Sequence, residues 1–224
     1  MSVDVVIGNF KFLMVQGFLG FGPFVGGTLR LAIPAILLGF LLGILIGLAR
    51  LAPAWWLRIP ATVYVEFFRG VPLVMVIFWM WFIIPQLLRF SIPEYGVALT
   101  AFVIFEAAYF GEIVRAGVQS VARGQVEAAR AIGLTGTQSM LYVVLPQALR
   151  NMLPALVTQM IVLFKDTSLA SIIGYVDLTK AAQIVNNREI KPFELYLFIA
   201  VVYWVCTYSM SRVARRFETR TSPA

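Results

Sequence analysis

Glu66, Arg69, Glu106, Glu112, Lys165 and Asp166 fall inside or at the edge of long apolar runs. An ionisable group facing hydrocarbon costs about 3 kcal/mol or more, so each must face a partner charge, a protein interior or a water-filled route. The first possibility is mutual pairing, for which Glu112 with Arg115 and Glu66 with Arg69 have the helical i, i+3 spacing. The second is a path for a charged solute. Arg69 or Lys165 would then attract a carboxylate, and the break at Gly70-Val71-Pro72 would expose backbone groups near mid-membrane. Phe105, Tyr109 and Phe164 stand beside these charges, at a spacing that suits packing or a gate. Residue supply points away from metal and covalent chemistry. The chain has no histidine, its single cysteine, Cys206, lies in an apolar run, and no nucleophile stands beside a base.

A second constellation lies in the polar stretch from Gln119 to Gln147, which contains EAARAIGLTGTQSMLYVVLPQ. Glu127 to Ile132 are good helix formers, and Gly133 is placed to end a short helix in the left-handed conformation. Ala128 and Ile132 share one helix face, Ala129 and Gly133 the next. A short helix with such small side chains can lie deep in a groove on another protein. Thr135 or Thr137 can cap a following helix, which Pro146 is expected to interrupt.

Lipid must surround the elements that carry these residues. Of the 224 residues, 60% are hydrophobic and 13% charged, and the mean hydropathy is +0.86. At roughly 20 apolar residues per span, this length allows about five helices and no separate soluble domain. The apolar runs predict spans over about 26–49, 60–88 with a break at 69–72, 95–118, 149–163 and 193–210. Gly39, Gly43 and Gly47 recur every fourth residue in the first, which allows a close helix contact. The opening segment, 1–25, reads as an interfacial helix, because Lys11 would fall in the middle of any span there.

The net charge of +7 marks topology rather than nucleic acid, since Lys and Arg cluster at the ends of apolar runs. Arg50, Arg58, Arg115, Arg123, Arg130, Arg150, Arg212, Arg215, Arg216 and Arg220 outweigh Lys11, Arg89, Lys180, Arg188 and Lys191 if the N-terminus lies outside. The 119–147 loop and the C-terminus are then cytoplasmic.

Glu127-Ala128-Ala129, three residues, Gly133, nine residues and Val143-x-Leu145-Pro146 together resemble the EAA loop of bacterial ABC importer permeases, with Val where the pattern usually has Ile. Phe68 to Pro72, Tyr109 to Gly117, Leu145 to Ala148 with Arg150, and Lys165 to Leu169 resemble the polar amino-acid permeases of the histidine, glutamine and arginine type. The similarity extends over about Thr28 to Arg216. Phe105 to Tyr109 and Ile161 to Asp166 are most similar to glutamate/aspartate permease subunits.

The resemblance implies an all-α integral membrane protein with about five transmembrane helices in the type I ABC importer (MetI-like) permease fold. It implies a periplasmic or interfacial segment over 1–25, a permease domain over 26–216 and a cytoplasmic tail over 217–224. In that family Glu127, Ala128, Ala129, Ile132 and Gly133 would form the coupling helix that docks into an ATPase subunit. Arg69, Glu106, Tyr109, Lys165 and Asp166 are the candidate substrate pathway.

The implied partners are a second permease, more readily a related chain than an identical one, a cytoplasmic ATPase dimer and a periplasmic amino-acid-binding protein. The implied location is the bacterial inner membrane, with alternating access as the mechanism. The sequence contains no G-x-x-x-x-G-K-[ST] phosphate loop, so ATP and Mg would sit on the partner, and the chain itself is expected to be a non-enzymatic transport subunit that binds no cofactor. Glutamate or aspartate, another polar amino acid (glutamine, arginine or histidine) and an ion-coupled carrier are the functions open at this point. The last usually shows paired internal repeats, and none is evident.

Overall fold

The computed structural model describes residues 4–21 and 26–221, and the described residues form helices joined by short turns, without strands. Four helical units are long and apolar enough to cross a membrane, and a bent pair makes a fifth. They are α2 (Thr28–Leu51), the pair α3 (Trp55–Gly70) and Leu73–Leu87, α6 (Glu94–Gln119), the helical unit Gly136–Ile173, and Pro192–Val213 of α11 (Pro192–Thr221).

The expected break in the second span is a bend of 104° between Trp55–Gly70 and Leu73–Leu87. Val71 is extended (φ −114°, ψ 149°) and Pro72 follows it, because the residue before a proline is driven out of the helical region. The first arm begins at Trp55, a turn before the expected start near Pro60, with α4 (Leu73–Phe78) and α5 (Ile84–Leu88) forming the second. α11 is helical through Thr221, so it continues into the segment expected to form the tail, the last three residues of which lie outside the described ones.

The expected interruption at Pro146 does not occur. α8 (Gly136–Ser139) runs through a π-helical turn at Met140–Val144 into α9 (Leu145–Asp166), which tightens into a 3-10 turn at Thr167–Ile173. In the π-turn the Leu145 N–H pairs with the Met140 carbonyl, one residue further back than in an α-helix. That widening makes room for a ring lacking an N–H. Trp79–Ile83 is a second π-turn, placed before Pro85, where the Ile84 N–H reaches the Trp79 carbonyl.

Two clusters form the interior. The larger gathers Leu31, Ala35, Val76, Ala101, Phe102, Phe110, Ala148 and Leu163 around α6. The smaller joins Val6 and Leu13 of the N-terminal helices, α1 (Asp4–Gly8) and the π-helical Phe12–Leu19, to α10 (Leu178–Glu189) and the start of α11. The Asp177 carboxylate caps α10, accepting from the N–H groups of Thr179 and Lys180 at 3.1 and 2.9 Å. Leu37, Leu41, Leu45 and Leu48 of α2 are exposed, as a lipid-facing stripe requires.

The glycine face of α2 is buried against α6. A Cβ on Gly43 would lie 2.5 Å from the Phe110 Cβ, and one on Gly47 would lie 2.8 Å from the Gly111 carbonyl oxygen. Backbones this close leave no space for a methyl group. Gly43→Ala is expected to lower the melting temperature of the purified chain by the equivalent of about 1–3 kcal/mol, the usual cost of overpacking. Gly70→Ala, with nothing within 4 Å of its Cβ position, should change it little. Equal effects at both positions would contradict the contact.

Candidate functional site

Beyond α6, α7 (Arg123–Ala131) carries the EAA residues. Ile132 ends this helix and Gly133 turns left-handed at φ +89°. The Gly133 N–H donates to the Arg130 carbonyl at 3.0 Å and the Leu134 N–H to that of Ala129 at 3.1 Å. These two bonds make a Schellman motif, which needs a residue free of a Cβ at Gly133. Thr135 then starts α8. Its hydroxyl accepts from the Gln138 N–H while the Gln138 side chain accepts from the Thr135 N–H, a reciprocal capping box. Thr137 has no capping role.

The two caps fix how α7 projects. Ala129 is buried against the body of the protein, whereas Glu127, Ala128, Ala131 and Gly133 are exposed. Ile132, at 79% exposure, forms an apolar tip. Gln125 and Gln147 meet at 3.4 Å, and the Asn151 amide donates to the Ser120 hydroxyl at 2.8 Å, tying the loop to α9. Neither pair was evident from sequence, since polar residues in a polar loop carry no pairing signal.

The intramembrane charges divide into two groups on α6. Glu112 accepts from Arg50 at the end of α2 and from Arg115, whose Nη2 lies 2.5 Å away and whose Nε lies 3.1 Å away. Arg69, from the end of α3, stands 3.8 Å from the same carboxylate. The expected Glu112–Arg115 pair is therefore present, while Arg69 faces Glu112 instead of Glu66, which is exposed. The cluster sets three guanidinium groups against one carboxylate. Arg69 is its open member, with its side chain 44% exposed.

One turn towards the middle of α6, the Arg69 guanidinium lies 5.7 Å from the Tyr109 ring, which in turn contacts Phe105 at 5.1 Å. Glu106 is fully buried. Its Oε2 accepts from the Gln159 amide of α9 at 2.8 Å, and its Oε1 has no partner. Asp166 lies within charge-interaction range of both Glu106 and Tyr109. Of the five candidate pathway residues, Arg69, Glu106, Tyr109 and Asp166 thus gather beside α6, and Lys165 projects outward next to Asp166. Gln159 was missed, although a lone amide in an apolar run is itself a sign of a buried polar contact.

Residues 36–223 match the family described as the binding-protein-dependent transport system inner membrane component. The chain belongs to that family. It is 40% identical over 205 residues to the glutamate/aspartate import permease protein GltK of Escherichia coli O6:H1, covering 87% of this chain and 90% of the relative. It is 41% identical over 196 residues to the probable glutamine ABC transporter permease protein GlnP of Bacillus subtilis, covering 86% and 89%. The crystal structure of an amino acid ABC transporter with histidines superposes with a TM-score of 0.89 at 34% identity, over 98% of this chain and 100% of that one. The methionine transporter MetNI in an inward-facing conformation shares the fold, with a TM-score of 0.77 at 20% identity.

In this inner membrane component, Glu112 is the group that neutralises Arg50, whose side chain is only 11% exposed. Removing one partner of such a pair leaves an uncompensated charge and costs about 3–5 kcal/mol. Glu112→Ala is expected to show that loss in thermal unfolding, and Glu66→Ala to stay within about 0.5 kcal/mol of the parent. A larger loss at Glu66 would contradict the pairing described.

Proposed function

We propose that this chain is the transmembrane permease subunit of an ATP-driven importer that moves glutamate and aspartate from periplasm to cytoplasm by alternating access. The observation that carries this reading is the α7 projection, a short helix locked by caps at its end and tipped by exposed Ile132. An apolar tip needs a pocket on another protein, and the continuous helix that follows gives force applied there a rigid route into the spans.

In this reading the pocket belongs to a cytoplasmic ATPase dimer, which holds ATP and Mg and carries out hydrolysis, so that the chain itself is not the enzyme. A second permease completes the pathway, and a related chain is preferred to an identical one. A periplasmic binding protein delivers substrate. Residues 1–25 then lie outside or at the outer interface, the transmembrane domain spans 26–216, and the coupling loop over about 119–147 and the tail over 217–224 are cytoplasmic. Glu127, Ala128, Ala129, Ile132 and Gly133 are the coupling residues.

An amino acid carries charge of both signs, and so does the α6 cluster. The free Glu106 oxygen and Asp166 suit an ammonium group, Arg69 suits a carboxylate, and Tyr109 stands between them, whereas Lys165 faces away from the cluster. The relative that imports glutamate and aspartate, at 40% identity, supports an acidic substrate. Glutamine is the second reading, favoured by the relative named for it at 41% identity.

Proteoliposomes holding the permeases, ATPase and binding protein provide the test. ATP-dependent uptake of glutamate and aspartate is expected, and Ile132→Asp should reduce it more than about tenfold by placing a charge in the apolar contact, with insertion unchanged. Arg69→Gln should reduce uptake of the acids. Accumulation that needs no ATP, or full uptake by Ile132→Asp, would overturn the importer reading. ATP-dependent uptake of glutamine in preference to the acids would establish the second reading.

A further inference from the structure

Two cavities meet on the flank of α2 near its first turn. One, of about 490 Å³, is walled by Leu19, Leu29, Ile33 and Pro34, with Arg30 and Tyr95 also lining it. The other, of about 310 Å³, lies between α2, α9 and α11, walled by Phe18, Ile36, Phe164, Cys206 and Met210. Leu29 and Ile33 line both, so the two adjoin along this face of α2.

The charge distribution along this cleft is one-sided. Arg30 is exposed, and its guanidinium lies 5.7 Å from the Tyr95 ring. The Tyr95 hydroxyl donates to the Arg30 carbonyl at 3.4 Å, which leaves the guanidinium N–H groups available. Among the described residues no carboxylate lies within ion-pair distance of Arg30. Such a cation at the mouth of an apolar cleft, on a helix whose outer stripe faces lipid, fits a molecule with an anionic head and a hydrocarbon tail.

We propose that the cleft binds an anionic phospholipid, with its phosphate on Arg30 and one acyl chain in the pocket between Phe18, Ile36, Phe164 and Met210. The other chain lies along the exposed Leu37, Leu41 and Leu45 of α2. Tyr95 supports the guanidinium from beneath, since an arginine stacked on an aromatic ring keeps its donors while its plane is held. A soluble phosphate would meet Arg30 alone and leave the apolar pocket unused. The site is separate from the α6 charge cluster and does not depend on which solute is moved.

Cys206, the chain's single cysteine, lines the inner pocket and reports its occupancy. The full chain, purified in detergent, would be labelled with N-ethylmaleimide in the presence of phosphatidylglycerol, phosphatidylcholine or glycerol phosphate. Phosphatidylglycerol should slow labelling about fivefold more than phosphatidylcholine, the increment expected of one arginine facing an anionic lipid. Glycerol phosphate should give no protection. Arg30→Gln should bring the two lipids to the same rate, and Arg30→Lys should retain most of the difference, with melting temperatures showing that both variants fold.

Equal protection by both lipids in the parent chain, or a preference that survives Arg30→Gln, would overturn the proposal. So would protection by glycerol phosphate alone, which would indicate a simple anion site. Cys206 shielded under every condition would mean that a second copy of the chain fills the cleft, and would overturn it equally.

Discussion

The structure depends on the close approach of α2 to α6. Lipid tails are as apolar as leucine, so exclusion of apolar surface from water does little to press two membrane helices together, and van der Waals contact must supply the attraction. Gly39, Gly43 and Gly47 bring the α2 backbone within reach of Glu106, Phe110, Gly111 and Val114. Every embedded acid of α6 is placed by this contact. Arg50, at the end of the glycine face, meets Glu112 because the helices beneath it are in contact. A wider separation would take from Arg50 its carboxylate partner, in surroundings where that is costly, while Glu112 would keep Arg115 of its own helix.

From this pair the structure extends towards two ends that a transport cycle would have to connect. One end is the capped α7 with Ile132 at its tip, and the other is the buried Glu106 held by Gln159. The helical unit from Gly136 to Ile173 passes through both neighbourhoods, with α8 at the loop and Gln159 and Asp166 nearer its other end. The π-turn before Pro146 keeps that unit unbroken. Displacement of the loop would therefore pass along one helical unit towards Gln159 and Glu106. Arg69, shared between Tyr109 and Glu112 at the bend of the second span, provides a further contact that can exchange when the bent arm moves.

Much of this was legible in the sequence, because local chemistry carries the signal. Apolar run length revealed the spans, Val71-Pro72 revealed the break, and a run of good helix formers ending in Gly133 revealed the short helix. The i, i+3 rule found Glu112 with Arg115 but failed for Glu66 with Arg69, since tertiary placement of α3 turned Arg69 towards α6. Arg50 read as a topology residue, which hid its ion pair. Pro146 read as a break, because the pattern that marks an interruption does not distinguish it from a π-turn. Gln159 acquires its meaning only from a residue 53 positions away.

The central claim is that α7 is where an external motor engages this chain. A photoreactive amino acid placed at Ile132 in the intact complex in native membranes, with a second at Ile190 on the opposite loop set as control, tests it most directly. The account predicts an adduct at position 132 that mass spectrometry identifies as a protein with a phosphate-binding loop, and no such adduct at position 190. An ATPase adduct at position 190, or none at position 132 in a complex that transports, would contradict it.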